Sequence, residues 1–202
     1  MKIQIMILLC TMYLFSCKAQ QAKNRCELNY GNAEEELKLY SKSSDTNYLN
    51  KAQVFLDSSF LCNETRKKSI RRKIQIFGMQ EAYKEGAEFV ETLDINDFDF
   101  EYRKKMHRNY FLGLYYTKIN DLKNRDSVFN ESIEDIQTYI DKMKYTRFSS
   151  DTISFYNLYF MKSRIYDQKK IINDINALKQ KFPNEKVAID RMKEITIENM
   201  IH

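Results

Sequence analysis

The chain has 202 residues and a net charge of +5, the length of one ordinary domain. Four glycines and one proline leave too few turn residues for a β-sandwich or barrel. The mild positive surplus falls short of what a nucleic-acid-binding face carries.

The first stretch, MKIQIMILLCTMYLFSCKAQQAK, opens on Lys2, a short positive n-region. Ile3 to Phe15 follows as an apolar run of about thirteen residues, broken by Gln4 and Thr11. That length suits the h-region of a secretory signal and is too short for a membrane span, which needs roughly 20 residues. The run ends at Leu14-Phe15-Ser16-Cys17, which resembles the lipobox of bacterial lipoproteins, with Phe15 bulky where that family is usually small. The resemblance implies that the Cys17 thiol receives a diacylglyceryl group, that cleavage falls just before it, and that its new amine is acylated. Such an anchor is firm, because each buried methylene contributes about 0.8 kcal/mol. Within that family, Lys18 in place of Asp implies sorting to the outer membrane, with the body facing the periplasm. An ordinary cleaved secretory signal and an uncleaved anchor are the other readings of the run. The expected division is a signal peptide over 1–16, a lipidated tether over 17–25 and one domain over 26–202.

Beyond the tether the apolar spacing predicts helices throughout. The first covers 27–42 (ELNYGNAEEELKLYSK), and Ser43-Ser44-Asp45 supplies a turn and a cap for the second, 46–61. Helices over 65–79 and 81–93 follow. DINDFDF reads as a loop with caps at Asp97 and Asp99. Then come 100–119, 127–144, 151–166 and 168–181, the last stopped by Phe182-Pro183-Asn184. A final helix over 185–200 carries apolar Val187, Ile189, Met192, Ile195 and Ile197. The expected class is all-α: an array of four antiparallel hairpins closed by a C-terminal helix.

The cysteines divide by place. Cys10 falls in the signal and Cys17 is the lipidation site. Cys26 and Cys62 lie equally far, about 18 residues, on either side of the first turn. In an antiparallel hairpin such residues meet at the open end, so a disulfide is expected, as an oxidising compartment allows. Two unpaired buried thiols are the other possibility.

A repeat near 35 residues is present. YLNKAQVF places Tyr48, Ala52 and Phe55 on one helix face, and YKEGAEFV places Tyr83, Ala87 and Val90 likewise. Leu112, Gly113 and Tyr116 form an L-G-x-x-Y pattern, and Pro183 closes the last copy. The pattern resembles the tetratricopeptide repeat over about residues 27–183. Ile171 stands at the small position of the last copy, and the third copy is lengthened around Lys123 to Val128. An irregular helical bundle uses the same stripes and stays open.

Few residues suggest chemistry. His107 lies inside the fold with no nucleophile elbow, P-loop or HExxH to serve, and reads as a partly exposed helix residue. Asp94, Asn96, Asp97, Asp99 and Glu101 lack the mid-loop glycine of a calcium loop, and Lys105 sits where its last glutamate belongs. Glu34-Glu35-Glu36 reads as a solvated face. Arg66, Lys67, Lys68, Arg71, Arg72 and Lys73 read as a solvated face or as a contact for anionic headgroups. In tetratricopeptide proteins the first helix of each pair lines a concave groove. The resemblance thus projects a partner-binding face of Lys68, Arg71 and Gln75, then His107, Tyr110 and Leu114, then Tyr156, Phe160 and Arg164. Basic and aromatic groups side by side suit a peptide with acidic and apolar side chains.

The expectation is a lipid-anchored envelope lipoprotein, membrane-bound through its acyl chains, that acts as a protein–protein interaction scaffold and is not an enzyme. Its partner is an envelope protein or peptide segment. Cofactor, metal, nucleic acid and small-molecule substrate are not expected. The alternative is an immunity lipoprotein that neutralises a toxin at the cell envelope.

Overall fold

The computed structural model describes residues 25–201. The lipobox, Cys17 and most of the tether lie outside the described residues. Every regular element among them is helical, and none is long and apolar enough to cross a membrane. The sequence reads as one body over 26–202, whereas the backbone contacts gather into two compact units that divide between Ala82 and Tyr83.

The first unit holds α1 (25–43), α2 (Thr46–Phe60) and α3 (Asn63–Met79). Ser44 takes a left-handed conformation, φ 58°, and ends α1. Asp45 then caps α2, its carboxylate accepting from the Asn47 backbone N–H at 2.9 Å. Ala33, Leu49, Ala52, Leu56 and Ile76 form a fully buried centre, ringed by Tyr30, Leu37, Tyr40 and Phe55. Small Ala33 and Ala52 let the helices close on one another. At the open end of the α1–α2 pair, Cys26 and Cys62 are joined as a disulfide, their Cα atoms 6.3 Å apart. Equal distance from a tight turn does bring the two thiols together.

The second unit holds α4 (Tyr83–Glu91), α5 (Arg103–Lys118), α6 (Leu122–Met143), α7 (Thr152–Lys162), α8 (Gln168–Lys181) and α9 (Lys186–Ile201). Successive helices from α4 to α7 pack on one another, and α9 packs on both α7 and α8. Two glycines set the closest approaches. A Cβ at Gly86 would lie 2.9 Å from the Phe111 ring, and one at Gly113 would lie 2.3 Å from the Phe129 ring. Phe111 and Phe129 are accordingly buried against helix backbone. The main core joins Phe129, Ile136, Phe148, Met161, Ile171 and Ile175. Ile171 fills its interior position with no exposed surface.

Several boundaries differ from the sequence reading, each for a local reason. Asp121 accepts from the Asn124 N–H and caps α6 at Leu122, so Lys123 to Val128 are helix and not a lengthened connection. Neither Asp97 nor Asp99 caps α5, whose N-cap is Tyr102 without a side-chain acceptor. Asp94 instead caps a 3₁₀ turn over Ile95–Asp97, with Asp97 returning the bond in a capping box. Asp99 sits 3.4 Å from Arg103. Helix α7 stops at Lys162, and residues 163–166 form turns.

Candidate functional site

The projected surface falls in both units, and each part has its own surroundings. In the first, Lys68 bonds Glu27 at 2.7 Å and its ammonium lies 4.4 Å from the centre of the Tyr30 ring. Arg72 meets Glu34 through two bonds, Nε–Oε1 at 2.6 Å and a second nitrogen to Oε2 at 2.8 Å. Burial raises the Glu34 carboxyl, but the bonds from Arg72 and Tyr30 outweigh it and hold it below the usual carboxylate range. Gln75 accepts from Arg72 at 2.8 Å. Lys73 reaches Asp57 of α2 at 2.5 Å. All six cations of the basic run have partners. Lys68, Arg72 and Lys73 of the run therefore brace α3 toward α1 and α2, and Glu34 belongs to that brace and not to a purely solvated face.

The second unit brings four of the projected residues together. Helix α5 presents His107, Tyr110 and Leu114 at helical spacing, all half-buried. Helix α7 presents Tyr156 and Phe160, and Arg164 follows in the turn beyond it. The Tyr110 and Phe160 ring centres are 5.3 Å apart, and Tyr156 stacks on Phe160 at 6.4 Å with the planes 17° apart. The Arg164 guanidinium lies 4.4 Å from the Phe160 centre and 5.7 Å from that of Tyr110. Among the described residues it enters no ion pair, and its Nε is buried without a hydrogen-bond partner. A guanidinium fixed by two aromatic faces with most of its donors unspent is prepared for an anion.

His107 does not add to that charge. Burial, aided by the nearby Arg103 cation, pushes its pKa down to about 4, and the Phe98 ring lies 5.9 Å away. It is a neutral, half-buried side chain at ordinary pH.

Two features lie outside the sequence reading. The first is a buried polar network at the start of α7. Asn157 donates to the Tyr102 hydroxyl at 3.0 Å, which lies 2.8 Å from Ser154 Oγ. Ser154 donates to Asp151 at 2.5 Å, and the Tyr145 hydroxyl also donates to Asp151 at 2.8 Å. The Asp151 carboxylate also accepts from the Ser154 N–H. Each group is satisfied and, among the described residues, no histidine joins the network, so it fixes the α7 terminus. The second feature is an open cleft of about 580 Å³ between α7, α9 and the start of α5, walled by apolar side chains with Arg103 and Arg191 beside them. The α9 stripe of Ile189 and Met192 is buried as its spacing suggests, but Ile195 is 37% exposed and faces this cleft.

Among the described residues, no group of three or more acidic, histidine or cysteine side chains converges to hold a metal ion. Comparison of the chain with known protein families, with curated proteins and with solved structures finds no match in any of the three.

Proposed function

We propose that the chain is a lipid-anchored envelope protein that binds another protein without catalysis, through the α5–α7 face of its second unit. The observation that carries this reading is Arg164, held against Phe160 and Tyr110 without a counter-ion among the described residues. Desolvated aromatic and arginine anchors are the side chains that dominate protein recognition. An acidic side chain of the partner fits the guanidinium, and an apolar one fits the Tyr156–Phe160 row.

The lipobox resemblance at residues 14–17 supports anchoring through Cys17, with the body in the periplasm on the outer membrane. The Cys26–Cys62 disulfide suits an oxidising compartment. A tetratricopeptide-like arrangement is the proposed form of the helical body. Contacts between alternate helices support it: Lys68 of α3 meets Glu27 of α1, and Tyr110 of α5 meets Phe160 of α7. The close seat of Phe129 on Gly113 supports the glycine's role in the L-G-x-x-Y pattern.

Affinity capture from solubilised membranes tests the reading. The envelope protein recovered with the wild type should be lost when Arg164→Glu is combined with Tyr110→Ala. Recovery of the same protein at the same yield would contradict the assignment of this face.

A further inference from the structure

We infer that the cleft between α7 and α9 is a second peptide site, taking a segment in which a carboxylate stands next to an apolar side chain. The inference rests on the reading of the chain as a protein-binding body and places the partner's chemistry in it. The apolar wall is Ile153 and Tyr156 from α7 with Met192 and Ile195 from α9. Met192 is buried and forms the floor, whereas Ile153 is 49% exposed and Ile195 37% exposed. Two large aliphatic side chains open to water beside one concavity are apolar surface without a cover.

The charge on the rim decides what fits. Arg103 and Arg191 line the cleft, and among the described residues no acidic one does. Arg191 is exposed and enters no ion pair among the described residues. Among the described residues the one ion pair of Arg103 is a long contact of 3.4 Å from a terminal guanidinium nitrogen to Asp99, and its Nε is buried. A contact of that length is weak, so both guanidiniums keep terminal nitrogens for an incoming carboxylate. The same chain displays the geometry such a pair reaches: Arg72 grips Glu34 by two bonds of 2.6 and 2.8 Å.

A peptide fits better than a fatty acid. An acyl chain gains its affinity by enclosure, and this cleft leaves its aliphatic walls half in water. An extended peptide needs one seated side chain and one paired carboxylate, and its ends leave along the seam. Tyr156 also links the cleft to the Phe160–Arg164 row, so one segment can follow both.

Fluorescence anisotropy with the purified full-length protein tests this, using a labelled acetylated octapeptide that alternates Leu and Glu. Saturable binding is expected, roughly 10-fold weaker when Gln replaces Glu in the peptide, and roughly 10-fold weaker for Arg191→Gln. Ile195→Glu should abolish it, and decanoate should fail to compete. Should Ile195→Glu disturb the fold, Arg191→Gln decides, since that exposed side chain supports no internal pair. Equal binding of the Glu and Gln peptides, indifference to Arg191→Gln, displacement by decanoate, or no binding of either peptide would each overturn the inference. The capture experiment reads the other surface. Loss of peptide binding with capture intact removes the cleft alone, and the converse removes the envelope reading alone.

Discussion

Single residues carry the sharpest tests. Gly113 is a forced choice, because a Cβ there would meet the Phe129 ring at 2.3 Å. Gly113→Ala should destabilise the second unit by about 1–3 kcal/mol, the usual cost of overpacking. Gly31, exposed within α1 with open space around its Cα, should behave oppositely. Gly31→Ala should stabilise by about 0.5–1 kcal/mol through helix propensity. Urea unfolding of both variants checks the pair, and a matching sign would contradict the packing described. His107 gives a pH test. Its folded pKa, about 4, lies below its unfolded value near 6.5. The unfolded chain therefore binds the extra proton between those values, and stability falls as pH drops from about 6.5 toward 4. The carboxylates add their loss lower. The bond from Lys105 holds Glu131 below the usual range, and Arg72 outweighs burial at Glu34. Both stabilise above the unfolded carboxylate pKa, near 4.3, and lose that as pH falls through their lowered values. Melting midpoints between pH 7 and 4.5 should decline for the wild type and stay nearly level for His107→Gln. Gly113 was visible in the sequence through the L-G-x-x-Y spacing. The lowered pKa of His107 was not, because burial is its main cause and depends on what packs over the side chain, whereas Arg103, one helical turn before it, adds the smaller part.

At the scale of elements, capping chemistry explains both what the sequence reveals and what it hides. Ser43-Ser44-Asp45 could be read directly as a stop and a cap, and both are there. Asp121 has the same chemistry, but amphipathic spacing alone delayed the start of α6 by about one turn. The basic run of α3 shows the limit of charge patterns: its cations find Glu27, Glu34 and Asp57 on other helices. Partners that distant in sequence cannot be assigned from composition. The Cys26–Cys62 pair could be, because equal distance from a short turn is a geometric statement about one hairpin. Closing a loop of 36 residues should stabilise by about 3–4 kcal/mol. Replacing both cysteines with Ser should lower the unfolding free energy of the first unit by that amount under non-reducing conditions. A change below about 1 kcal/mol would show that the crosslink does not restrict the unfolded chain as described.

For the whole molecule, the all-helical class follows from few breakers and 3.6-residue stripes, and the structure has it. The division at Ala82 did not follow, because a stripe says that a face is buried and not which neighbour buries it. The same reason hid the α7–α9 cleft, whose walls come from three separated helices. The tetratricopeptide resemblance projected Tyr110, Tyr156, Phe160 and Arg164 onto one face, and these four side chains lie together. The central claim is that this cluster holds an envelope protein. A photo-reactive amino acid at position 160, activated in living cells, tests it most directly. The account predicts one dominant crosslinked envelope protein, lost when Arg164→Glu is added and missing from a control at exposed Lys169. Crosslinking equal to that control, or unchanged by Arg164→Glu, would contradict it.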